Sequence, residues 1–159
     1  MTSVTRVYRF SASHRLHSAQ LSDSENAEIF GKCNNPYGHG HDYVLSVTVS
    51  GKINNRTGVL VPLALLDQLV DQHVLGLFAH KNVNVDVPQF ADVIPTTENI
   101  VLVIAGLMEE HWAAYFDRGG PRLHRVHVQE TDRNGFEVLL PLAYPAKRLT
   151  DSEGSLVHA

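Results

Sequence analysis

The run from His39 to Ser50 alternates with strand periodicity, setting His39, His41, Tyr43, Leu45, Val47 and Val49 on one side and Asp42, Ser46, Thr48 and Ser50 on the other. Such a strand must bury its apolar side, and two imidazoles sit at the head of that side. A second alternating stretch, Thr5 to Ser13, groups Tyr8, Phe10 and Ala12 against Val7, Arg9 and Ser11, and His14 continues the first set. Between the two, His17 to Gly38 is polar and reads as loop. Within it Ser22-Asp23-Ser24-Glu25 fits a capping box and predicts a short helix from about Ser22 to Phe30.

Pro62 suits the first turn of a helix that Leu65, Leu66, Leu69 and Val70 carry to about Gly76. Lys81 to Pro95, with two prolines and several Asn and Asp residues, predicts a long irregular connection. Thr96 or Thr97 can cap the next helix, with Glu98 in its first turn. Ile100, Val103, Ile104, Leu107 and Met108 then recur at helical spacing. Gly119-Gly120-Pro121 breaks the chain. Leu123 to Thr131 alternates again, and Asn134-Gly135 predicts a tight turn into a strand over Phe136 to Leu142. The order predicts an α+β fold, an antiparallel four-stranded sheet with two long helices on one face. One domain over residues 1–145 is expected, and a polar tail, 146–159, is expected to be loose.

The formal charge of -4 lacks the basic field that draws a protein to phosphate backbones, so nucleic acid is excluded as a partner. The most apolar stretch, Ile100 to Met108, is too short for a bilayer, so no membrane span is expected. A single cysteine, Cys33, and an N-terminus without an apolar core predict a reducing, cytoplasmic setting.

Ten histidines beside one cysteine are the first chemical clue. His39 and His41 share a strand face, and Gly40 between them is expected to leave room for an ion. His14 can complete three imidazole ligands with a fourth position open, an arrangement that suits zinc. The His-x-His pair alone reads equally as two histidines at a strand edge. Cys33 lies in the polar loop Gly31-Lys32-Cys33-Asn34-Asn35-Pro36, where Lys32 and a metal would lower its pKa and make it a base or nucleophile. Glu130 shares a strand face with Val126 and Val128, where a carboxylate needs a partner unless it reaches solvent. His80-Lys81-Asn82 reads as an exposed turn or as part of a site.

Phe10-Ser11-Ala12-Ser13-His14-Arg15-Leu16 and Phe30-Gly31-Lys32-Cys33-Asn34-Asn35-Pro36-Tyr37-Gly38-His39-Gly40-His41 resemble the 6-pyruvoyl-tetrahydropterin synthase family, animal type. His80-Lys81-Asn82, Asp86-Val87-Pro88, Phe90-Ala91-Asp92-Val93, Thr96-Thr97-Glu98-Asn99 and Glu130-Thr131-Asp132 resemble further segments of that family in order, so the likeness runs from about Tyr8 to Leu140. The resemblance implies a tunnelling fold whose trimers close their sheets into a barrel and stack as a homohexamer with active sites between subunits. It implies that His14, His39 and His41 hold Zn²⁺, that Cys33 is the general base, and that His80 and Glu130 belong to the proton relay. Glu130 would also anchor a pterin ring, with Thr96, Thr97 and Glu98 nearby. The implied reaction converts 7,8-dihydroneopterin triphosphate to 6-pyruvoyl-tetrahydropterin and eliminates triphosphate, with Mg²⁺ accompanying the phosphates.

One position departs from the family. An aspartate commonly precedes the relay histidine, whereas this chain reads Leu77-Phe78-Ala79-His80. Asp86 or a water is expected to substitute, or activity to be reduced. Two other readings use the same scaffold: a carboxy-tetrahydropterin synthase, and a zinc- and pterin-binding protein without catalysis. A thiol base at Cys33 argues against the latter, since binding alone does not need one.

Overall fold

The computed structural model describes residues 2–141, so the 146–159 tail and Leu142, the expected end of the last strand, lie outside the described residues. Strand β1 (Thr2–His14) pairs along its whole length with β2 (His39–Gly51), from Thr2 opposite Gly51 to His14 opposite His39. β3 (Arg122–Gln129) follows β2, and β4 (Gly135–Leu139) follows β3, giving an antiparallel sheet in the order β1-β2-β3-β4. The expected tight turn at Asn134-Gly135 is instead a loop over 130–134. Gln129 already pairs with Gly135, and Asn134 O accepts the Glu130 N–H at 3.0 Å.

Helix α1 (Asp23–Phe30) carries the expected capping box: Ser22 Oγ accepts the Glu25 N–H and Glu25 Oε2 accepts the Ser22 N–H at 2.8 Å. α2 (Leu63–Val70) runs on through a π turn, Asp71–Leu75, into α3 (Gly76–Phe78), the long helix expected after Pro62. The connection beyond it is less irregular than its prolines suggest. It holds α4 (Val83–Asp86) and a 3₁₀ turn, Pro88–Phe90, and is tied to β1 where Ser13 N–H donates to Lys81 O at 2.9 Å. Thr96 caps α5 (Thr97–Tyr115), accepting the Asn99 N–H on its hydroxyl.

One face of the sheet is covered. Tyr43, Leu45, Val47, Val49, Val126 and Val128 are fully buried against Leu66, Leu69, Ile100, Ile104 and Met108 of α2 and α5. Each such side chain contributes about 1.5–3 kcal/mol by leaving water, which fixes which face of β2 turns inward. His39 and His41 occupy the same face at its end. Gly38, just before them, has φ of 70°, and a Cβ there would lie 2.9 Å from His14 O. Gly38→Ala is expected to cost about 2 kcal/mol, measured as a lower urea midpoint. No helix among the described residues is long and apolar enough to cross a membrane.

Candidate metal centre and active site

The pairing of β1 with β2 sets His14 directly opposite His39, and His41 lies two residues further along the same face. His39 Nε2 lies 3.1 Å from His14 Nε2 and 3.1 Å from His41 Nε2. Pro95 O, which can only accept, binds His14 Nδ1 at 2.8 Å, so Nδ1 carries the proton and Nε2 turns its lone pair inward. Burial pushes the His14 imidazole below the ordinary histidine range. Burial, and then the neighbouring His41, act the same way on His39.

Three converging imidazole nitrogens cannot all be satisfied by one another. His14 Nε2 has no proton, and the single proton of His39 Nε2 serves one neighbour at most. The two distances from His39 are close to the roughly 3.4 Å edge of a tetrahedral nitrogen set around zinc. The residues therefore fit a transition-metal ion, and all-imidazole ligation favours zinc over magnesium or calcium.

Two further donors border the three rings. The ligand atoms of His14, Cys33 and His39 lie within 4.8 Å of one another, as do those of His14, His41 and Glu130. Cys33 is carried by a 3₁₀ turn, Gly31–Asn34, which is pinned to the chain beyond β1: Leu16 N–H donates to Cys33 O at 2.8 Å and Asn34 Nδ2 to Leu16 O at 2.7 Å. Among the protein's own groups, burial first, and then the Glu130 carboxylate, push the Cys33 thiol up.

Glu130 stands one residue beyond Gln129, at the end of β3. Its Oε1 accepts the Thr97 hydroxyl at 2.6 Å and lies 3.7 Å from both His14 Nε2 and His41 Nε2. The partner that a carboxylate needs on this apolar face is thus Thr97, which is itself buried. Thr96 is occupied in capping α5, and Glu98 is exposed in the first helical turn.

One expectation is corrected. Gly40 points away from the imidazoles, because neighbouring residues on a strand face opposite sides. A Cβ there would meet only Ala12 O, at 3.5 Å, so the glycine does not clear space for an ion. Within one chain His80 is not among the groups gathered at the three rings. It is exposed, with φ of 61°, and borders a hollow of about 370 Å³ with Ser11, Gly40, His41, Asp42 and Lys81. Asp86, the expected substitute acid, accepts the Asn82 N–H on Oδ2 at 2.8 Å and does not line that hollow. Sequence reasoning missed Pro95 and Asn34 as positioning groups, although Asn34 adjoins Cys33 and Pro95 adjoins the helix cap.

Fold and site together define an α+β protein whose sheet end carries a cluster of three imidazoles that fits a metal ion, flanked by a thiol and a carboxylate. Residues 3–139 match the 6-pyruvoyl tetrahydropterin synthase family, and the chain belongs to that family. It is 46% identical over 131 residues to a 6-pyruvoyl tetrahydrobiopterin synthase of Poecilia reticulata, covering 82% of this chain and 85% of that protein. The corresponding human protein is 45% identical, with 82% and 86% covered. The solved Caenorhabditis elegans 6-pyruvoyl tetrahydropterin synthase superposes with a TM-score of 0.78 at 36% identity, over 88% of this chain and 96% of that one. The fold is accordingly the tunnelling fold.

Proposed function

We propose that this chain is a zinc-dependent lyase that converts 7,8-dihydroneopterin triphosphate to 6-pyruvoyl-tetrahydropterin with release of triphosphate, a step of tetrahydrobiopterin synthesis. The observation that carries the reading is the convergence of His14, His39 and His41 Nε2 with Cys33 and Glu130 at the edge of the same set. Bound zinc supplies Lewis acidity to the hydroxyls of the substrate side chain and a positive charge beside Cys33. Cys33 would take the proton from the side-chain carbon that bears the hydroxyl next to the ring and return one to the adjoining ring carbon, so that the side-chain carbon is oxidised as the ring C=N bond is reduced and no outside reductant is consumed; loss of a proton from the next side-chain carbon then breaks the C–O bond to the triphosphate and expels it. Glu130, held by Thr97, accepts hydrogen bonds from the pterin amide and amino groups and fixes the ring while its side chain reacts. A hollow of about 300 Å³ lined by Glu130, Gln129 and Thr131 lies beside it.

His80 completes the relay from a neighbouring copy of the chain in a homohexamer, a dimer of trimers. Support comes from the two outer strands: among the described residues the sheet order leaves β4, and β1 ahead of the Ser11–Ser13 stretch that meets residues 80–82, each with one edge without a strand partner, and closure between copies would cover them. Sedimentation is expected to give six times the 17.6 kDa of one chain. The single cysteine agrees with a cytoplasmic enzyme, and Mg²⁺ accompanies the substrate phosphates rather than the imidazoles. The decisive assay incubates zinc-loaded protein with 7,8-dihydroneopterin triphosphate and identifies the products by mass. One triphosphate per 6-pyruvoyl-tetrahydropterin is expected. Intact substrate would overturn the reading, and a carboxy-tetrahydropterin product would transfer it to the sister activity.

A further inference from the structure

His80 stands in a hollow whose wall also carries Asp42, and both are fastened to the same residue of β1. Ser11 O accepts the His80 N–H at 2.7 Å, while the Ser11 hydroxyl donates to Asp42 Oδ1 at 2.5 Å. His80 is held there in a left-handed backbone conformation that a residue with a Cβ does not adopt without support from its surroundings. Asp42 is on β2 with its side chain on the face opposite His39 and His41, and it borders both the His80 hollow and the one beside Glu130. Gly40, on that same face, adds no side chain to the space. Lys81 lines the hollow as well. Position 79, where the family commonly carries an aspartate, is alanine, and Asp86 is engaged by the Asn82 N–H.

We infer that Asp42 is the positioning carboxylate for His80, replacing from the neighbouring strand the acid that Ala79 lacks. The inference rests on the relay role proposed above. A carboxylate on the wall of the hollow stabilises the positive charge that His80 acquires when it accepts a proton, wherever along the chain the acid originates. Because both residues are anchored to one strand of one chain, they travel together into whichever subunit's site His80 completes.

The test compares zinc-saturated wild type, Asp42→Asn, Ala79→Asp and the double variant in triphosphate release, with melting temperatures alongside. Asparagine keeps the size of the side chain and an oxygen for the Ser11 hydroxyl. Asp42→Asn is expected to lower kcat about ten-fold with KM within two-fold. Ala79→Asp alone is expected to change kcat less than two-fold, and in the double variant to restore at least half of the wild-type rate. A fall of less than three-fold in Asp42→Asn, or no recovery in the double variant, overturns the assignment, because a merely structural role would not be rescued by an acid at another position. Should Asp42→Asn fail to fold, Ala79→Asp in the native background decides: a gain of three-fold or more overturns the assignment, and a smaller change supports it. A wild type without turnover overturns the proposed function and this inference with it, whereas an active wild type with an unaffected Asp42→Asn overturns the inference alone.

Discussion

Cys33→Ala is expected to lower kcat for triphosphate release by roughly 10²–10⁴-fold, the usual contribution of a general base, while the protein stays folded and retains its zinc. The thiol is half-buried, and its turn is held by backbone and Asn34 contacts that alanine leaves intact. Cys33→Ser should fare little better, because a hydroxyl does not ionise in this pH range even beside a cation. The burial and the Glu130 carboxylate that raise the thiol make the comparison sharper, since they hold the protonated form until positive charge is supplied. Steady-state kinetics with zinc content measured on the same samples checks the prediction. More than a tenth of the wild-type rate in Cys33→Ala would remove Cys33 from the reaction.

His14→Ala and His39→Ala are expected to part company. Both remove an imidazole, and each should weaken zinc binding at least about 100-fold, more than the loss of an outer partner usually costs. His14 is only 1% exposed, and its loss also strands the carbonyl of Pro95, so unfolding should be easier by about 2–4 kcal/mol. His39 is half-buried, and its loss should cost less than about 1 kcal/mol in metal-free protein. Equilibrium dialysis and urea unfolding separate the two effects, and equal zinc affinity in wild type and His39→Ala would dissolve the proposed centre. Acid adds a further signature. Since burial holds the folded His14 below the ordinary histidine range, the unfolded chain binds that proton first, and metal-free stability falls as pH drops through the range.

Strand alternation revealed which residues share a face, so the grouping of His14, His39 and His41 was legible from residue order. What alternation could not give was their distance, which depends on β1 and β2 pairing with His14 opposite His39. Gly40 lies between the two imidazoles in sequence, but the pleat turns the middle residue to the other face. The upward push on the Cys33 thiol is not legible in residue order, because it comes first from burial in the folded chain and then from Glu130, which arrives from the far end of the sequence. Thr96 and Thr97 both fit a helix cap, and only the packed α5 shows that the first caps while the second faces Glu130. The hairpin signal at Asn134-Gly135 had the right neighbourhood but the wrong loop length, because Gly135 already belongs to β4.

The extended ladder between β1 and β2 also makes ion capture a proofreader of assembly. A slip of one residue between these strands would swing both imidazoles of β2 to the far side of the sheet relative to His14. A misaligned chain could not grip the ion, so ligation would selectively stabilise molecules that have closed the ladder in the right frame.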